Sequence, residues 1–242
     1  MGAITSDENL DSVVQKLNSI DSYDEQNFVS EVSTTAKIDR KMEDNKFNIA
    51  LLDLGVKNNI IRLLESRGCK VTVYPYNSKY SEIIDSNPDG IVLSPGPGDP
   101  NNLLSILENV KSLIFSKIPI LGICLGHQLI AKSLGASTFK LPYGHRGGNQ
   151  PVKDIKSNKV YVTAQNHGYA VSKNNMPIDL EITHLNMNDG TISGLCHKTL
   201  PVFSIQYHSE ASPGPKDSEY IFDEFIHQII SKKGVKWVIR QF

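Results

Sequence analysis

Several features are missing from this 242-residue sequence, and each absence removes a class of protein. Cysteines are few, odd in number and far apart: Cys69, Cys124 and Cys196. No disulfide framework is therefore predicted, and a reducing, cytoplasmic compartment fits best. The longest apolar run, at 112–126, is interrupted by Lys117 and Pro119 and is too short to predict a membrane span. The first residues place no cationic stretch before an apolar one, so we expect no secretory signal.

Common cofactor motifs are missing as well. The seven histidines include no H-x-x-x-H pair and the cysteines no C-x-x-C pair, so no metal site is predicted. No phosphate-binding glycine motif of the G-x-x-x-x-G-K-S/T or G-x-G-x-x-G type follows a predicted strand. The formal net charge is -1, which gives no reason to expect nucleic acid or an anionic membrane as a partner.

Residues 1–45 differ in composition from the rest of the chain. They are polar and acidic, and they contain no glycine after Gly2. Apolar residues at helical spacing predict a first helix, which Ser6 could cap, and a short second helix around Val29. Two short helices cannot close a core alone, so we expect them to pack on the main body, another domain or a partner. The predicted units are residues 1–45, a main domain over 46–233 and a tail over 234–242.

The main domain alternates apolar strands with helices. Strands are predicted at 47–55, 70–76, 89–95 and 118–124, and helices at 57–68, 101–115 and 125–135. Shorter β-like pieces follow near 137–141, 151–155, 159–164, 180–184, 191–197 and 201–207, before a last helix at 217–233. This order predicts an α/β fold: a mostly parallel central sheet flanked by helices, with a smaller antiparallel β portion in the C-terminal half. Functional residues are expected at the carboxyl ends of the parallel strands.

The stretch GICLGHQ places Cys124 between Gly122 and Gly126 at a strand-to-helix junction. G-x-C-x-G is the thiol form of the nucleophile elbow, in which a tight turn raises the side chain above the sheet edge. The amino end of the following helix favours the thiolate form of the cysteine. Most lone cysteines are buried structural residues, but glycines on both flanks favour a nucleophile.

A thiol nucleophile needs a base, and two histidines are candidates. His208 ends the apolar strand VFSIQY, and Glu210 follows two residues later. A carboxylate so placed could orient the imidazole and stabilise its charged form. His167, within QNHGYAV, has no such neighbour, so His208 is preferred. A surface histidine after a strand is the plainer interpretation of His208 when it is considered alone.

Two further motifs are candidates for contacts with a substrate. SPGPGDP, at 94–100, is a stiff loop whose N–H groups at Gly96 or Gly98 could join that of Leu125 in an oxyanion hole. The alternative is a plain turn. In QNHGYAV, the backbone at Gly168 and Tyr169 could hold a charged end of a substrate.

Together these motifs resemble the class I, or triad, glutamine amidotransferases over roughly residues 47–230. GICLGHQ, QYH and the glutamate two residues later carry the likeness. LSPGPGDP, GHRGGNQPV, TAQNHGYAV and HSEASPGP are similar to the glutaminase subunits of carbamoyl-phosphate synthases. The resemblance implies a flavodoxin-like sheet and hydrolysis of glutamine to glutamate and ammonia through a cysteine thioester.

The resemblance also assigns roles to single residues and partners. It implies Cys124 as nucleophile, His208 as base and Glu210 as the group that orients His208. It implies glutamine contacts from seven residues: Gly96, Gly98, Leu125, Gln128, Asn166, Gly168 and Tyr169. It implies no cofactor in this chain, L-glutamine as substrate and, as partner, a large synthetase subunit that binds ATP and Mg and receives the ammonia. Arginine or pyrimidine biosynthesis in the cytoplasm would follow.

Some positions depart from the family pattern. Ser209 replaces the usual proline between the triad histidine and glutamate, and both triad side chains are kept. Pro95 stands where this subfamily often has asparagine, which favours the alternative of an anthranilate or aminodeoxychorismate synthase glutaminase. Full small subunits carry a further amino-terminal domain, of which residues 1–45 resemble the final linker. A cysteine peptidase or DJ-1-like hydrolase and a non-catalytic docking module remain open.

Overall fold

The computed structural model describes residues 2–6, 9–40 and 42–234, which build one mixed sheet of ten strands. The strands are β1 Ile38–Asp39, β2 Phe47–Asp53, β3 Cys69–Pro75, β4 Gly90–Leu93, β5 Ile120–Ile123, β6 Thr138–Asp154, β7 Val160–Val171, β8 Leu180–Asn186, β9 Ile192–His197 and β10 Val202–Ile205. Their order across the sheet is β1-β3-β2-β4-β5-β10-β9-β8-β6-β7. The neighbours β3, β2, β4, β5 and β10 run parallel, in the 2-1-3-4-5 order of flavodoxin-like sheets. The other pairs are antiparallel, so the predicted fold class is confirmed.

Helices cover the sheet on both faces. The α-helices of the described residues are α1 Leu10–Ser19, α2 Val29–Val32, α3 Asn58–Glu65, α4 Tyr80–Ile84, α5 Leu107–Phe115, α6 Leu125–Ser133 and α7 Tyr220–Lys232. Two 3₁₀ helices span Tyr23–Glu25 and Pro100–Ile106. Within the described ranges, none of these helices is both long and apolar enough to cross a membrane.

Strand β2 illustrates how the core is divided between the two faces. Ile49 and Leu51 pack in a cluster that includes residues of α3 and α7, whereas Ala50 and Leu52 pack in one that includes residues of α5. Successive strand residues point to opposite faces of a sheet. A strand covered on both faces therefore reads as a continuous apolar run, as FNIALLD does.

Helix boundaries differ from the prediction in several places. Asn9, and not Ser6, caps α1, and its side chain accepts a hydrogen bond from the N–H of Ser12 at 3.2 Å. The helix predicted over 101–115 is a 3₁₀ helix followed by α5, because Leu103 adopts non-helical φ −115° and ψ 23°. Helix α7 begins at Tyr220, later than the predicted start at residue 217.

The β portion of the C-terminal half is more continuous than predicted. The pieces at 137–141 and 151–155 belong to one strand, β6, which pairs with β7 across two register shifts. The glycine-rich polar stretch GHRGGNQ shows no alternation of apolar and polar residues, so the periodicity that marks a strand is absent there. Strand β1 and helix α4 were not predicted, since they are too short to show a period.

The segment that precedes the sheet is joined to it by several contacts. The N–H of Thr34 donates to Asp53 at 2.8 Å, and β1 pairs with β3. Val29 is 1% exposed and packs in a cluster that includes Leu125 and Leu129 of α6. Helix α1, in contrast, buries none of its residues. The division at 45/46 remains a prediction, and of the predicted tail, residues 235–242 lie outside the described part of the chain.

Candidate active site

Cys124 lies at a strained turn between β5 and α6. Its φ of 52° and ψ of -102° are rarely adopted by a residue with a side chain, and they match the geometry of a nucleophile elbow. A Cβ at Gly122 would lie 2.9 Å from the carbonyl oxygen of Gly126, and one at Gly126 would overlap the backbone of Leu93. The two glycines are therefore required by the close approach of α6 to the sheet.

His208 follows β10, the strand next to β5, and its ring stands between a carboxylate and the thiol. Its Nδ1 lies 2.8 Å from Oε1 of Glu210. Cys124 lies close enough to the same imidazole to raise its pKa. Lys57 forms an ion pair of 3.1 Å with Glu210, whose side chain is fully buried. The structure thus brings the three predicted triad residues together.

The surroundings of the triad favour its charged forms. Burial lowers the pKa of His208, but the neighbouring Cys124 and Glu210 outweigh burial and raise the pKa to about 10. Burial likewise raises the pKa of Glu210, but His208 and Lys57 outweigh it and lower that pKa. The arrangement favours an imidazolium at His208 backed by an ionised carboxylate at Glu210.

His167 also borders the site, but its ring is engaged elsewhere. Nδ1 lies 2.7 Å from the carbonyl oxygen of Tyr169, and Nε2 lies 3.0 Å from Oε1 of Gln165. Burial is the largest of the influences that lower its pKa, to about 3. This imidazole therefore supports the backbone of β7 and is not placed to accept a proton from the thiol.

Cys124 and His208 open into one cavity of about 460 Å³, a volume within the range of small-molecule sites. The cavity lies where β2, β4, β5 and β10 end, as expected for a parallel sheet. All of the predicted glutamine contacts line it: Gly96, Gly98, Leu125, Gln128, Asn166, Gly168 and Tyr169.

Three residues that line the cavity have backbone N–H groups with no hydrogen-bond acceptor among the described residues. They are Gly96, Gly98 and Leu125. Leu125 is the first residue of α6, where N–H groups have no acceptor within the helix. Such free donors beside a nucleophile can stabilise an oxyanion.

Gln128 and Tyr169 are more constrained than the sequence predicted. Nε2 of Gln128 donates to the carbonyl oxygen of Tyr169 at 2.8 Å and to Oε1 of Gln206 at 3.0 Å. The Tyr169 carbonyl and the amide nitrogen of Gln128 are therefore both engaged in hydrogen bonds within the protein. No hydrogen bond to the Oε1 atom of Gln128 is formed among the described residues.

Several residues of the site were missed by sequence reasoning. Tyr23 and Asp24, from the segment before the sheet, line the cavity together with the cationic side chains of Lys57, Lys140 and Arg146. Asp24 accepts a hydrogen bond from the Tyr169 hydroxyl at 2.6 Å and forms an ion pair with Lys140. These contacts, led by Lys140, lower the pKa of Asp24. No local motif marks Asp24, because its partners lie over a hundred residues away.

Among the residues that the structure describes, no group of three or more His, Cys, Asp or Glu side chains is arranged to hold a metal ion.

Comparison with known sequences identifies close relatives. The family model described as glutamine amidotransferase class-I matches residues 50–228. The chain is 50% identical over 223 residues to the carbamoyl phosphate synthase small chain of Clostridium perfringens, covering 92% of this chain and 62% of that protein. It is 46% identical over 221 residues to the small chain of Methanocaldococcus jannaschii, covering 91% and 62%. For Staphylococcus haemolyticus the identity is 57% over 180 residues, covering 74% and 49%. The chain thus spans about half to three-fifths of these curated relatives.

Solved structures show the same architecture. A Thermoplasma acidophilum protein assigned to GMP synthase matches with a TM-score of 0.69 and 28% identity, covering 78% of this chain and 96% of that one. A glutamine amidotransferase from Thermotoga maritima matches with a TM-score of 0.55 and 16% identity, covering 81% and 87%, which shows a shared fold alone. These matches confirm the predicted fold class, and the sequence relatives confirm the family resemblance.

Proposed function

Because the chain belongs to the class I glutamine amidotransferase family, we propose that it hydrolyses L-glutamine as the glutaminase subunit of a carbamoyl-phosphate synthase. One observation carries the proposal. Cys124, at a strained elbow, shares a single cavity with His208, which Glu210 holds by Nδ1. That combination supplies a nucleophile, a base and an orienting carboxylate.

The first half of the reaction forms a thioester. The Cys124 thiolate attacks the side-chain carbonyl carbon of glutamine, and the N–H groups near Gly96 or Gly98 and at Leu125 stabilise the resulting oxyanion. His208, as imidazolium, gives its proton to the departing nitrogen. The C–N bond breaks, ammonia leaves, and a γ-glutamyl thioester remains on the sulfur.

The second half regenerates the enzyme. His208, now neutral, takes a proton from water while the water oxygen attacks the thioester carbonyl. The C–S bond breaks, glutamate leaves, and Cys124 and His208 return to their starting pair. Glu210 stabilises the imidazolium each time it forms, and Lys57 keeps Glu210 ionised.

The ammonia needs an acceptor, and no phosphate-binding motif for ATP was found in this chain. A large synthetase subunit in the same cytoplasmic complex would bind ATP and Mg, receive the ammonia and make carbamoyl phosphate. The support is that relatives at 46–57% identity are named carbamoyl phosphate synthase small chains. The same names favour this assignment over an anthranilate or aminodeoxychorismate synthase glutaminase, despite Pro95.

The test is a glutaminase assay of the purified chain with and without the synthetase subunit of the same host. We expect slow release of glutamate from the chain alone, faster release with the partner, and none from Cys124→Ser. Labelled glutamine should give a thioester on Cys124 that mass spectrometry detects. Hydrolysis of peptides in place of glutamine would assign the site to a peptidase, and equal rates with and without the partner would contradict the coupling.

A further inference from the structure

Two buried amide side chains, Gln206 and Gln128, form a hydrogen-bonded series that ends at the sulfur of Cys124. Gln206 and Gln128 are 1% and 2% exposed, and Gln206 does not line the cavity. Nε2 of Gln206 lies 3.7 Å from the sulfur of Cys124, within hydrogen-bond distance for sulfur. Oε1 of Gln206 accepts from Nε2 of Gln128, which also donates to the Tyr169 carbonyl.

The Tyr169 carbonyl determines the direction of each hydrogen bond in this series of amide groups. The backbone carbonyl of Tyr169 can only accept, so Gln128 must present its NH₂ group to it. The second hydrogen of that NH₂ requires an acceptor, so Gln206 must present its oxygen to Gln128. Gln206 therefore presents its own NH₂ group to Cys124, and the sulfur is faced by a donor.

A donor at this position favours one form of the sulfur. A thiolate is a hydrogen-bond acceptor, and a bond from a buried amide to a charged group is stronger than one between neutral groups. The backbone N–H of Gln206 is also anchored, since it donates to Ser193 of β9 at 2.9 Å. Gln206 is thus held both at its backbone and at its side-chain oxygen before any substrate arrives.

We propose that Gln206 is a catalytic residue that stabilises the Cys124 thiolate by direct hydrogen bonding, and that Gln128 is a positioning residue that fixes the orientation of the Gln206 amide. The proposal rests on the proposed function only in that the stabilised sulfur is the glutamine nucleophile. It complements His208, which approaches the sulfur from the cavity. The sulfur would then be held between a charged donor and a neutral one.

Charged groups also act on this thiol, so the test must separate the effect of the Gln206 amide from theirs. His208, Glu210 and Lys57 face Cys124 from the loop after β10 and from the start of α3. The remaining ionisable groups at the same cavity are Tyr23, Asp24, Lys140, Arg146, His167 and Tyr169. None of these is altered in the variants below.

The experiment measures thiolate formation directly. Iodoacetamide alkylation of Cys124, in which the S–C bond forms and iodide leaves, is followed across pH by mass spectrometry of the Cys124 peptide. In Gln206→Met, which keeps the side-chain length but has no donor, we expect the midpoint of the alkylation profile to move to higher pH. Glutaminase assays should show a lower kcat with little change in KM.

Two further variants complete the design. Ser193→Ala is the matched control. The Ser193 carbonyl accepts a hydrogen bond from the Gln206 backbone, whereas its hydroxyl is buried and has no hydrogen-bond partner among the described residues, so the alkylation profile should equal that of wild type. Gln128→Met leaves Gln206 in place but frees its amide to turn, so a smaller shift in the same direction is expected. Gln128→Met decides the question if Gln206→Met does not fold.

The outcomes separate the inference from the proposed function. A folded Gln206→Met protein with the wild-type alkylation profile would overturn the inference, as would a wild-type profile in Gln128→Met when Gln206→Met fails to fold. A wild-type chain that hydrolyses no glutamine, even with the synthetase subunit, would contradict the proposed function instead. The alkylation result would stand in that case, because it does not depend on turnover.

Discussion

The chemistry of the site depends on how a few residues set one another's charge. His208 stands between the Cys124 sulfur and the Glu210 carboxylate, and both neighbours oppose the effect of burial on its pKa. Cys124 contributes more than Glu210 to that opposition. The imidazolium is therefore stabilised chiefly by the sulfur beside it.

Replacing the sulfur should change the titration of His208. In the wild-type chain the pKa of His208 is raised from 6.5 to about 10, so the ring stays protonated at neutral pH. In Cys124→Ser the neighbouring negative charge is lost while burial remains, so we expect a lower pKa and an imidazole that becomes neutral at lower pH. An NMR titration of the His208 ring measures this. An unchanged pKa in the variant would show that the sulfur carries no charge.

Short connecting segments, more than strands, form the walls of the site. The loop after β10 carries both His208 and Glu210, and it is tied to α3 through Lys57 and Asn59, which donate to backbone carbonyls in that loop. In the 3₁₀ helix at Tyr23–Glu25, Tyr23 and Asp24 line the cavity. Both segments are held by side-chain contacts that are distant in sequence.

Ser209 is a position at which the loop can be stabilised. The residue is fully buried, its hydroxyl has no described partner, and its N–H donates no hydrogen bond among the described residues. Since proline is usual at this position in the family, Ser209→Pro should fit the native backbone and raise the free energy of unfolding by about 0.4–1 kcal/mol, because proline restricts the unfolded chain. Denaturant unfolding measures the change, and glutaminase activity should persist. Ser209→Ala, the control, separates loss of the hydroxyl from the effect of the ring; a Ser209→Pro protein less stable than Ser209→Ala would contradict the prediction.

Asp24 is expected to affect substrate binding more than catalysis. Its carboxylate holds both the Tyr169 hydroxyl and Lys140 at the rim of the cavity. Asp24→Asn removes the charge and weakens both contacts, so we expect KM for glutamine to rise several-fold while kcat changes less. Asp21→Asn, in the same exposed segment, is the control and should leave both constants as they are. Steady-state kinetics decide between these outcomes, and equal KM values would exclude the role.

Across the whole molecule, the site is assembled where separate layers of the core meet. One cluster joins α2 to α6 behind the SPGPGDP loop, and two others fill the faces of the parallel sheet. The segment before the sheet therefore contributes unequally to stability. Val29 is buried in that shared cluster, whereas Val14 of α1 is 52% exposed.

This difference predicts unequal effects of two similar substitutions. Val29→Ala should lower the free energy of unfolding by about 2 kcal/mol, because it leaves a cavity beside α6. Val14→Ala should change it by less than about 0.5 kcal/mol, as exposed positions usually do. Both values come from denaturant unfolding of the same chain. Equal losses in the two variants would show that α1 is buried against something in solution.

Some features were determined by the sequence alone, because their causes are local. Steric crowding at a tight turn requires Gly122 and Gly126 on either side of Cys124, so the elbow was predictable. Burial on both faces makes the parallel strands continuous apolar runs, so the fold class was predictable too. His208 and Glu210 could be paired in advance because they lie two residues apart.

Other features were decided only by the tertiary structure. Asp24 reaches Tyr169 across 145 residues, and Gln206 reaches Cys124 across 82, so no motif could have marked either contact. The GHRGGNQ part of β6 and the two-residue strand β1 show no periodicity, and their pairing depends on neighbouring strands. Local sterics and periodic burial leave a trace in the sequence, whereas contacts between distant segments exist only once the sheet has brought them together.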